Sequence, residues 1–567
     1  MLDIVLSVIN DYTVMCVYNQ VNGSYGCQNS KIMNGLLKEE LGFQGFIVTD
    51  WGAQRSGLAS AEAGLDMVMP SSEYWMDGNL TLMVSNGSLA QSRLDDMVTR
   101  ILASWYKYGQ LDDPGYGMPL DLLQPHDFVD GRDPAAADSI LQGAVEGHVL
   151  VKNLDGALPL SKPRILSLYG YDAVALTQNA PTPPGLPTKW AFGLAGVQEI
   201  PGYGAFNDTY MWEIFASSKE WDVPVPAISV NGTLITGGGS GAVTPAYIDA
   251  PFDAFQRQAR FDGTFLHWDF YNTDPEVNGA TDACIVFINA EASEGWDRPN
   301  LADAYSDRLV ENVASKCSNT HVVIHNAGIR LVDAWIDNPN ITSVIYAHLP
   351  GQDSGQALID IMYGKQSPSG RLPYTVAKKA LDNGPTLDPI VPDNTSQWHT
   401  QDNHTEGVFI DYRRFLAQNI TPRFEFGYGL TYSSFTYSNL QTQLLANASS
   451  ISGYSGEVLE GGDTSLWQPI ASVSCTITNT GDVASAEVAQ LYIQRPGGPS
   501  RELRGFDKRL LAPGAAYTAT FEVTKRDMST WDVTSQRWTL QSGNYDLFVG
   551  KSVLDIQLQD SIRMWEY

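Results

Sequence analysis

The chain has 567 residues, of which 43% are hydrophobic and 17% are charged, enough apolar material for several globular domains. Its 64 Asp and Glu residues outnumber 35 Lys and Arg residues, which gives a formal net charge of -29 at pH 7. This charge makes nucleic acid and anionic membrane surfaces poor partners. The sequence has no run of 18 apolar residues that would predict a membrane span.

The first predicted domain, residues 1–110, has an α/β pattern with Ser30 as the predicted cap of its first helix. The predicted elements are a helix over 30–42, a strand over 45–49, and helices over about 56–65 and 89–108. These make two or three strand-helix units, which are too few for a closed barrel of eight.

The rest of the chain divides by composition. Residues 111–137 are rich in Pro, Gly and Asp and predict a linker. Residues 138–380 alternate strand and helix patterns, which predicts a parallel sheet covered on both faces. Its predicted strands are Ile165–Tyr169, Cys284–Asn289, Val322–His325 and Val344–Ala347. Residues 381–430 predict a polar surface excursion or linker, and the alternating pattern of 431–567 predicts a β-sandwich.

Sequons and cysteines bear on the cellular compartment. Ten Asn-x-Ser/Thr sequons favour a secreted glycoprotein, and they lie at Asn22, Asn79, Asn86, Asn207, Asn231, Asn340, Asn394, Asn403, Asn419 and Asn447. Cys16 and Cys27 flank a turn-like segment, and Cys284 and Cys317 flank a strand-helix unit. Both pairs are predicted disulfides, which leaves Cys475 buried and free; five reduced core thiols are the alternative.

A carboxylate ends the first predicted strand, in the stretch Gly45-Phe46-Ile47-Val48-Thr49-Asp50-Trp51-Gly52. A buried strand that ends in an acid beside an aromatic ring brings a carboxylate and a flat wall to the edge of a sheet or barrel. A sugar ring needs such a pair. The alternative is that Asp50 caps the next helix.

The second α/β domain repeats this pattern. The strand Cys284–Asn289 runs into a loop that contains Glu294, Trp296 and Arg298. Ligands of open α/β sheets bind at the carboxyl ends of strands, and glycosidic hydrolysis requires two carboxylates. Two such loops on two domains predict a cleft for a sugar. The alternative is that Glu294 is a solvated acid paired with Arg298.

Other chemistries have weaker signals. The eight histidines lack metal-ligand spacing, and neither a CxxC nor a GxSxG motif occurs. His321 and His325 bracket a strand and are predicted to be core or sheet-end residues. The stretch 237–242 loosely matches a dinucleotide-binding loop, but no helix pattern follows it, so a glycine loop that carries Ser240 into a pocket is the preferred interpretation.

Short motifs follow one another across nearly the whole chain: Met15-Cys16-Val17-Tyr18-Asn19, Thr49-Asp50-Trp51-Gly52, Ala63-Gly64-Leu65-Asp66-Met67, Val149-Leu150-Val151-Lys152-Asn153, Ser293-Glu294-Gly295-Trp296, Pro350-Gly351-Gln352, Phe426-Gly427-Tyr428-Gly429-Leu430 and Glu502-Leu503-Arg504-Gly505-Phe506. In type and order they resemble fungal β-glucosidases of glycoside hydrolase family 3. The resemblance implies a multidomain fold: a partial (β/α)8 barrel in 1–110, an α/β sandwich domain in 138–380 and a fibronectin type III-like β-sandwich in 431–567.

The resemblance also implies retaining hydrolysis of terminal non-reducing β-D-glucosyl residues, as from cellobiose, without a metal or an organic cofactor. It implies Asp50 as the nucleophile and Glu294 as the acid/base. Tyr18 is implied to contact the nucleophile, Trp51 to wall the sugar site and Ser240 to reach the sugar. The expected partner is a small β-glucoside or oligosaccharide, with no nucleic acid and no membrane.

The chain departs from the family at its start. The family's barrel begins far upstream of its nucleophile motif, whereas Asp50 lies early here, and residues 1–6 lack the basic start of a signal peptide. We therefore expect a truncated barrel, a secretion signal outside this sequence and little activity from residues 1–567 alone. The alternatives are a β-xylosidase of the same family, against which Trp51 argues, and a non-catalytic carbohydrate-binding remnant.

Overall fold

The structure of the protein is a computed structural model. It describes residues 13–108, 123–176, 199–200, 204–205, 227–230, 232–238, 245–293, 298–387, 402–445 and 458–565. Within these ranges, no helix has the length and apolar character needed to cross a membrane.

The first region is built around one parallel pair of strands. Its elements are β1 (Thr13–Cys16), β2 (Gln20–Val21), β3 (Ser24–Tyr25), α1 (Lys31–Glu40, which has π-helical hydrogen bonding), β4 (Phe46–Thr49), α2 (Leu58–Glu62), α3 (Asn79–Ser85) and α4 (Gln91–Lys107). Strands β1 and β4 run in parallel, and β2 and β3 form a hairpin. A small core lies against this pair and includes Cys27, Met33, Leu37, Ile47 and Leu65.

Helix α1 begins differently from the prediction. The Ser30 side chain does not cap it, because the backbone of Ser30 already has helical angles, whereas a capping residue lies outside the helix. The carboxamide oxygen of Asn29 instead accepts a hydrogen bond from the Ile32 amide at 3.1 Å. The prediction of Ser30 as the cap was therefore wrong by one residue.

The second region is built on a six-stranded sheet. Its elements are α5 (Ala137–Gly147), β5 (Val149–Asn153), β6 (Ile165–Tyr169), β7 (Glu199–Ile200), β8 (Gly204–Ala205), α6 (Pro251–Asp262), β9 (Phe265–Asp269), β10 (Ala283–Ala290), α7 (Ala304–Lys316), β11 (Thr320–Asn326), β12 (Ile341–Tyr346), α8 (Ser354–Met362) and α9 (Tyr412–Ala417). The strand order is β5-β12-β11-β10-β6-β9, and only the β5–β12 pair within this sheet is antiparallel.

Both faces of this sheet are covered. One apolar core contains residues of α7 and the other contains residues of α5, α6 and α8, so that β10 and β11 are buried along their whole length. The prediction of a parallel sheet with covered faces is confirmed, and the four predicted strands are present as β6, β10, β11 and β12. The sequence patterns did not indicate the edge strands β5 and β9.

Part of the predicted excursion over 381–430 packs on the second region. Helix α9 lies in it, Phe424 is a member of the sheet core, and Val376 forms a β-bridge with Phe424. The stretch 388–401 lies outside the described residues. Helix α9 also packs against Tyr492 and Phe548 of the β-sandwich, so parts of the predicted excursion are packed, whereas residues 402–410 are mostly exposed.

The third region is a β-sandwich, as predicted. Its elements are β13 (Phe435–Leu444), β14 (Val458–Leu459), β15 (Gly462–Asp463), β16 (Pro469–Asn479), β17 (Ser485–Gln494), β18 (Glu502–Leu511), β19 (Ala516–Thr524), α10 (Lys525–Met528), β20 (Ser529–Asp532), β21 (Arg537–Leu540), β22 (Gly543–Gly550) and β23 (Ile556–Met564). One sheet has the order β13-β16-β19 and the other β18-β17-β22-β23. Their alternating inward residues form one apolar core.

Short 3-10 turns join many of these elements, at Gly26–Gln28, Pro134–Ala136, Leu154–Gly156, Tyr171–Ala173, Gly351–Asp353, Ala380–Asn383, Pro385–Leu387 and Thr464–Trp467. Both predicted disulfides are present. Cys16 and Cys27 join β1 to the turn before α1, and Cys284 and Cys317 join β10 to the residue after α7. Cys475 is the buried free thiol that the sequence predicts.

Candidate active site

Asp50 is the first residue after β4. Its backbone N–H donates to the carbonyl of Cys16 at 3.1 Å, so the parallel pairing of β1 and β4 reaches this residue. Gly52 has a φ of 76°, a left-handed conformation that favours glycine and turns the chain directly after Trp51. The carboxylate is thereby held at the carboxyl ends of two parallel strands, where such sheets place their ligand sites.

The Asp50 carboxylate is held through one of its two oxygens. Oδ1 accepts hydrogen bonds from the Tyr18 hydroxyl at 2.9 Å and from the Trp51 N–H at 2.7 Å. The Tyr18 hydroxyl also lies 2.8 Å from the Trp51 carbonyl, so its single proton is shared between two acceptors. Within the described residues, Oδ2 has no hydrogen-bond partner and is the oxygen free to react.

The structure therefore brings together Tyr18, Asp50 and Trp51. Trp51 is 65% exposed, and its indole is available as a flat apolar surface beside the carboxylate. The alternative that Asp50 caps a helix is not found, since α2 begins at Leu58 after Gly57 and has no side-chain cap.

A buried carboxylate supports β4 from within the first region. The Asp66 side chain is fully buried and accepts a hydrogen bond from the Ile47 N–H of β4 at 2.8 Å. It also pairs with Lys38 at 2.9 Å and with Arg93 at 2.7 Å. Burial lowers the pKa of Lys38, and Asp66 opposes that shift. In the sequence, Asp66 stood out only as part of a motif. An acid inside the apolar stretch 63–67 was the signal that could have indicated a buried carboxylate with charged partners.

Glu294 and Ser240 lie outside the described residues, so their roles remain predictions. The chain segments that lead to them are described. Gly238 donates its N–H to the carbonyl of Ala292 at 3.0 Å, and Glu291 donates its N–H to the carbonyl of Ala227, also at 3.0 Å. The segment before Ser240 is thus bonded to the segment before Glu294.

Glu291 is a buried acid that sequence reasoning passed over. Its side chain is fully enclosed, and neither carboxyl oxygen has a hydrogen-bond partner in the part of the chain that the structure describes. Burial raises the pKa of Glu291 well above its ordinary value. Its position directly after the buried strand β10 was the signal that could have identified it.

His321 and His325 both lie fully buried in β11, as the sequence predicted. Across the described ranges, no group of three or more His, Cys, Asp or Glu side chains is arranged to hold a metal ion. Arg298, which follows the loop of Glu294 in the sequence, donates a hydrogen bond to the carbonyl of Ile329.

Three family models match the chain. Residues 8–104 match the glycosyl hydrolase family 3 N-terminal domain, and residues 148–432 match the C-terminal domain of the same family. Residues 487–553 match a fibronectin type III-like domain. The nucleophile candidate therefore falls in the first match, and β10 with the loop after it falls in the second.

The chain is also similar to named proteins of fungi. It is 52% identical to the probable β-glucosidase M of Aspergillus fumigatus and 46% identical to the β-glucosidase cel3A of Pyricularia oryzae, in each case over 97% of this chain. It spans 67% and 69% of the lengths of those relatives. The crystal structure of β-glucosidase D2-BGL from Chaetomella raphigera is 37% identical, with a TM-score of 0.82 over 98% of this chain and 73% of that one.

Proposed function

This chain belongs to glycosyl hydrolase family 3, and we propose that it hydrolyses terminal non-reducing β-D-glucosyl residues of small β-glucosides and oligosaccharides, with retention of configuration. Relatives named β-glucosidase at 52% and 46% identity support this reaction. The observation in the structure that carries the proposal is the Asp50 carboxylate, which Tyr18 and Trp51 hold through Oδ1 at the end of β4.

In the first step, Oδ2 of Asp50 attacks the anomeric carbon, and the bond from that carbon to the leaving oxygen breaks. An ester forms between the sugar and Asp50, with Oδ1 as its carbonyl oxygen. The Tyr18 O–H and the Trp51 N–H both point at Oδ1, so they hold the carboxylate in one orientation before the attack. The exposed Trp51 indole provides the apolar wall for the sugar ring.

Glu294 is the proposed acid/base. It donates a proton to the leaving oxygen in the first step and removes a proton from water in the second, when water attacks the anomeric carbon and releases Asp50. Retention requires the two carboxyl groups to lie about 5–5.5 Å apart. Ser240 is proposed to contact the sugar from the glycine loop.

We also propose that the protein is secreted and glycosylated. The two disulfides fit an oxidising compartment. The sequon residues Asn22, Asn403 and Asn419 are exposed and accessible to a glycosyltransferase. Asn340 is half-buried and donates its side-chain amide to the carbonyl of Ala314 at 2.8 Å, so we expect it to remain unmodified.

Covalent trapping tests the proposed function. A 2-deoxy-2-fluoro-β-glucoside with an activated leaving group forms the ester but hydrolyses slowly, so one event per molecule is sufficient for detection by mass spectrometry. We expect the label on the peptide that contains Asp50 and no label in Asp50→Asn. Asp77→Asn, a change of an exposed acid in the same region, is the matched control and should still be labelled.

Two results would overturn the proposal. Labelling of a different carboxylate would remove Asp50 as the nucleophile. Faster labelling by the corresponding fluoroxyloside than by the fluoroglucoside would favour the β-xylosidase alternative.

A further inference from the structure

Buried polar side chains meet at the carboxyl ends of three strands in the α/β domain. Asp172 follows β6, Asn289 lies near the end of β10, His325 lies near the end of β11, and Ser354 begins α8; all four are fully buried. The Asp172 carboxylate pairs with Nδ1 of His325. The Ser354 hydroxyl lies 3.0 Å from Nε2 of His325.

This connectivity is that of a serine hydrolase triad, but its environment is not. A nucleophilic serine has to reach its substrate, whereas Ser354 has no exposed surface. The buried Asp172, His325 and Ser354 side chains have a different role, which follows from the backbone groups that Asp172 and the adjacent Asn289 bind.

Asp172 and Asn289 hold a neighbouring segment through its backbone. Oδ1 of Asp172 accepts hydrogen bonds from the Leu234 N–H and from the Asn289 side chain, both at 2.8 Å. The Asn289 side chain also binds both backbone groups of Ser229, accepting from its N–H at 2.9 Å and donating to its carbonyl at 2.8 Å. Two sites along the segment are therefore fixed by two side chains that also bind each other.

A glycine makes this arrangement sterically accessible. Gly170 has a φ of 99°, and a Cβ at this position would lie 2.1 Å from the Phe287 carbonyl oxygen. The end of β6 therefore passes directly against β10, which brings Asp172 beside Asn289.

In the sequence, the held segment leads to a residue proposed for the sugar site. Two residues after Gly238 comes Ser240, and two residues after Ala292 comes Glu294. The hydrogen bond from Gly238 to Ala292 ties these two chain segments together. Movement of the segment around Ser229 and Leu234 would therefore be transmitted to the base of the loop that carries Glu294.

We propose that Asp172, supported by His325 and Asn289, is a positioning residue that fixes the base of the Ser240 loop against the base of the Glu294 loop. This inference rests on the proposed function. Asp172 acts through the backbone of Leu234 and through Asn289, and it contacts none of the reacting atoms.

Backbone hydrogen exchange tests the holding of the segment by itself. In Asp172→Ala and His325→Gln, we expect the amides of Ser229 and Leu234 to exchange about tenfold faster or more, since each loses or weakens a hydrogen bond to a buried acceptor. His321→Gln is the matched control. His321 is equally buried in β11 and bonds the Ser343 hydroxyl at 2.7 Å, but it lies at the opposite end of the strand.

Slower or unchanged exchange in Asp172→Ala would overturn the proposal, as would equal acceleration in His321→Gln. If Asp172→Ala does not fold, Asp172→Asn serves in its place, because its carbonyl oxygen still accepts from Leu234 while the carboxylate is lost. In Asp172→Asn, the amides of Ser229 and Leu234 should exchange faster than in the parent and more slowly than in His325→Gln.

Leaving-group dependence tests the catalytic consequence. Cellobiose needs protonation of its leaving oxygen, whereas a dinitrophenyl glucoside does not. We expect His325→Gln to lower kcat/KM for cellobiose about tenfold more than for the dinitrophenyl glucoside, and His321→Gln to change both alike. Equal losses on both substrates in His325→Gln would overturn the positioning of Glu294. Failure of the 2-fluoroglucoside to label Asp50 would count against the proposed function, whereas the exchange rates need no turnover and decide the present inference independently.

Discussion

The first region and the α/β domain each end a strand in a carboxylate, but they hold that strand in different ways. In the α/β domain, β10 and β11 lie inside a six-stranded sheet and are buried throughout. In the first region, β4 pairs with β1 on one side and has a single parallel bridge, from Val48 to Met67, on the other; Met15 of β1 is 58% exposed. Parallel sheets are ordinarily covered on both faces, so the first region is the less protected of the two.

The surroundings of β1 show the same difference. An apolar cavity of about 410 Å³ lies against β1 and α1, and Trp531 and Trp538 of the β20–β21 hairpin line its other side. The α/β domain has a cavity of about 640 Å³ as well, but it lies beside α5 and the segment after β12, and two continuous apolar cores cover β10 and β11. The position of Asp50 therefore depends on local interactions, namely the Asp66 cluster, the Cys16–Cys27 disulfide and the Tyr18 hydroxyl.

The largest expected effect concerns the Asp66 cluster. Asp66→Asn removes the charge that Lys38 and Arg93 share, and loss of one partner of a buried ion pair costs about 3–5 kcal/mol. We expect the free energy of unfolding of the first region to fall by that amount in urea titrations. The control is Asp274→Asn in the α/β domain, whose exposed pair with Lys316 is screened by solvent and should contribute little to stability. An equal loss of unfolding free energy in the two variants would contradict the dependence of the first region on the Asp66 cluster.

Removal of each disulfide is expected to affect the stability and the activity of the protein to different extents. The loop-entropy model assigns about 2.8 kcal/mol to the separation of 11 residues in Cys16–Cys27 and about 3.7 kcal/mol to the separation of 33 in Cys284–Cys317. Replacing each pair by alanine should therefore cost more stability in the α/β domain. Activity should fall more with the first pair, because the Cys16 carbonyl accepts from the Asp50 N–H. Denaturation and turnover assays on both double variants measure the two effects, and a greater loss of activity with the second pair would refute the dependence of Asp50 on local interactions.

Tyr18→Phe tests the orientation of the nucleophile. A hydrogen bond to a charged group contributes about 1.5–3 kcal/mol, which corresponds to a reduction in kcat of about 10–100-fold. We expect KM and the unfolding free energy to change little, since Tyr18 is 41% exposed. Tyr271→Phe, at an exposed tyrosine of the α/β domain, serves as the control for hydroxyl loss. A kcat equal to that of the parent would show that Tyr18 does not orient Asp50.

The last expected effect concerns Glu291 and depends on pH. Because burial raises the pKa of Glu291, the folded protein retains a proton that the unfolded chain releases above its own pKa of about 4.3. The contribution of the protonated acid is fully present below that pH and is lost as the pH rises toward the folded pKa. Glu291→Gln should therefore stabilise the protein more at pH 7 than at pH 4.

Thermal unfolding at the two pH values measures this difference. Glu39→Gln, a change of an exposed acid, is the control and should show no such dependence. A stabilisation by Glu291→Gln that is equal at both pH values would mean that Glu291 is not held neutral by the fold.

The sequence predicted those parts of the fold that have a local signal. Continuous apolar runs identified β10 and β11, and the family motif connected Tyr18 with Asp50 across 32 residues. The same reasoning missed β9, whose sequence Phe-Leu-His-Trp-Asp has no continuous apolar run, and chose Ser30 over Asn29 as a cap because both residue types favour that position.

The buried polar network of the α/β domain could not be predicted from local sequence patterns, for a different reason. Asp172, Asn289, His325 and Ser354 come from four separate segments, and each residue alone looks like an ordinary strand-end or helix-start residue. Asp66 resembles them, because its partners Lys38 and Arg93 lie nearly 30 residues away on either side. Such roles follow from the topology that brings the segments together.

Chemical rescue tests the central claim, that Asp50 is the nucleophile of a retaining glycosidase, most directly. With Asp50 as the nucleophile and Glu294 as the acid/base, Asp50→Gly would leave room for azide on the face of the sugar where Asp50 attacks, and Glu294→Ala would leave room on the face of the leaving group. With an activated aryl β-glucoside and azide, we predict α-glucosyl azide from Asp50→Gly and β-glucosyl azide from Glu294→Ala, each identified by its anomeric proton coupling. Formation of β-glucosyl azide by Asp50→Gly would contradict the assignment.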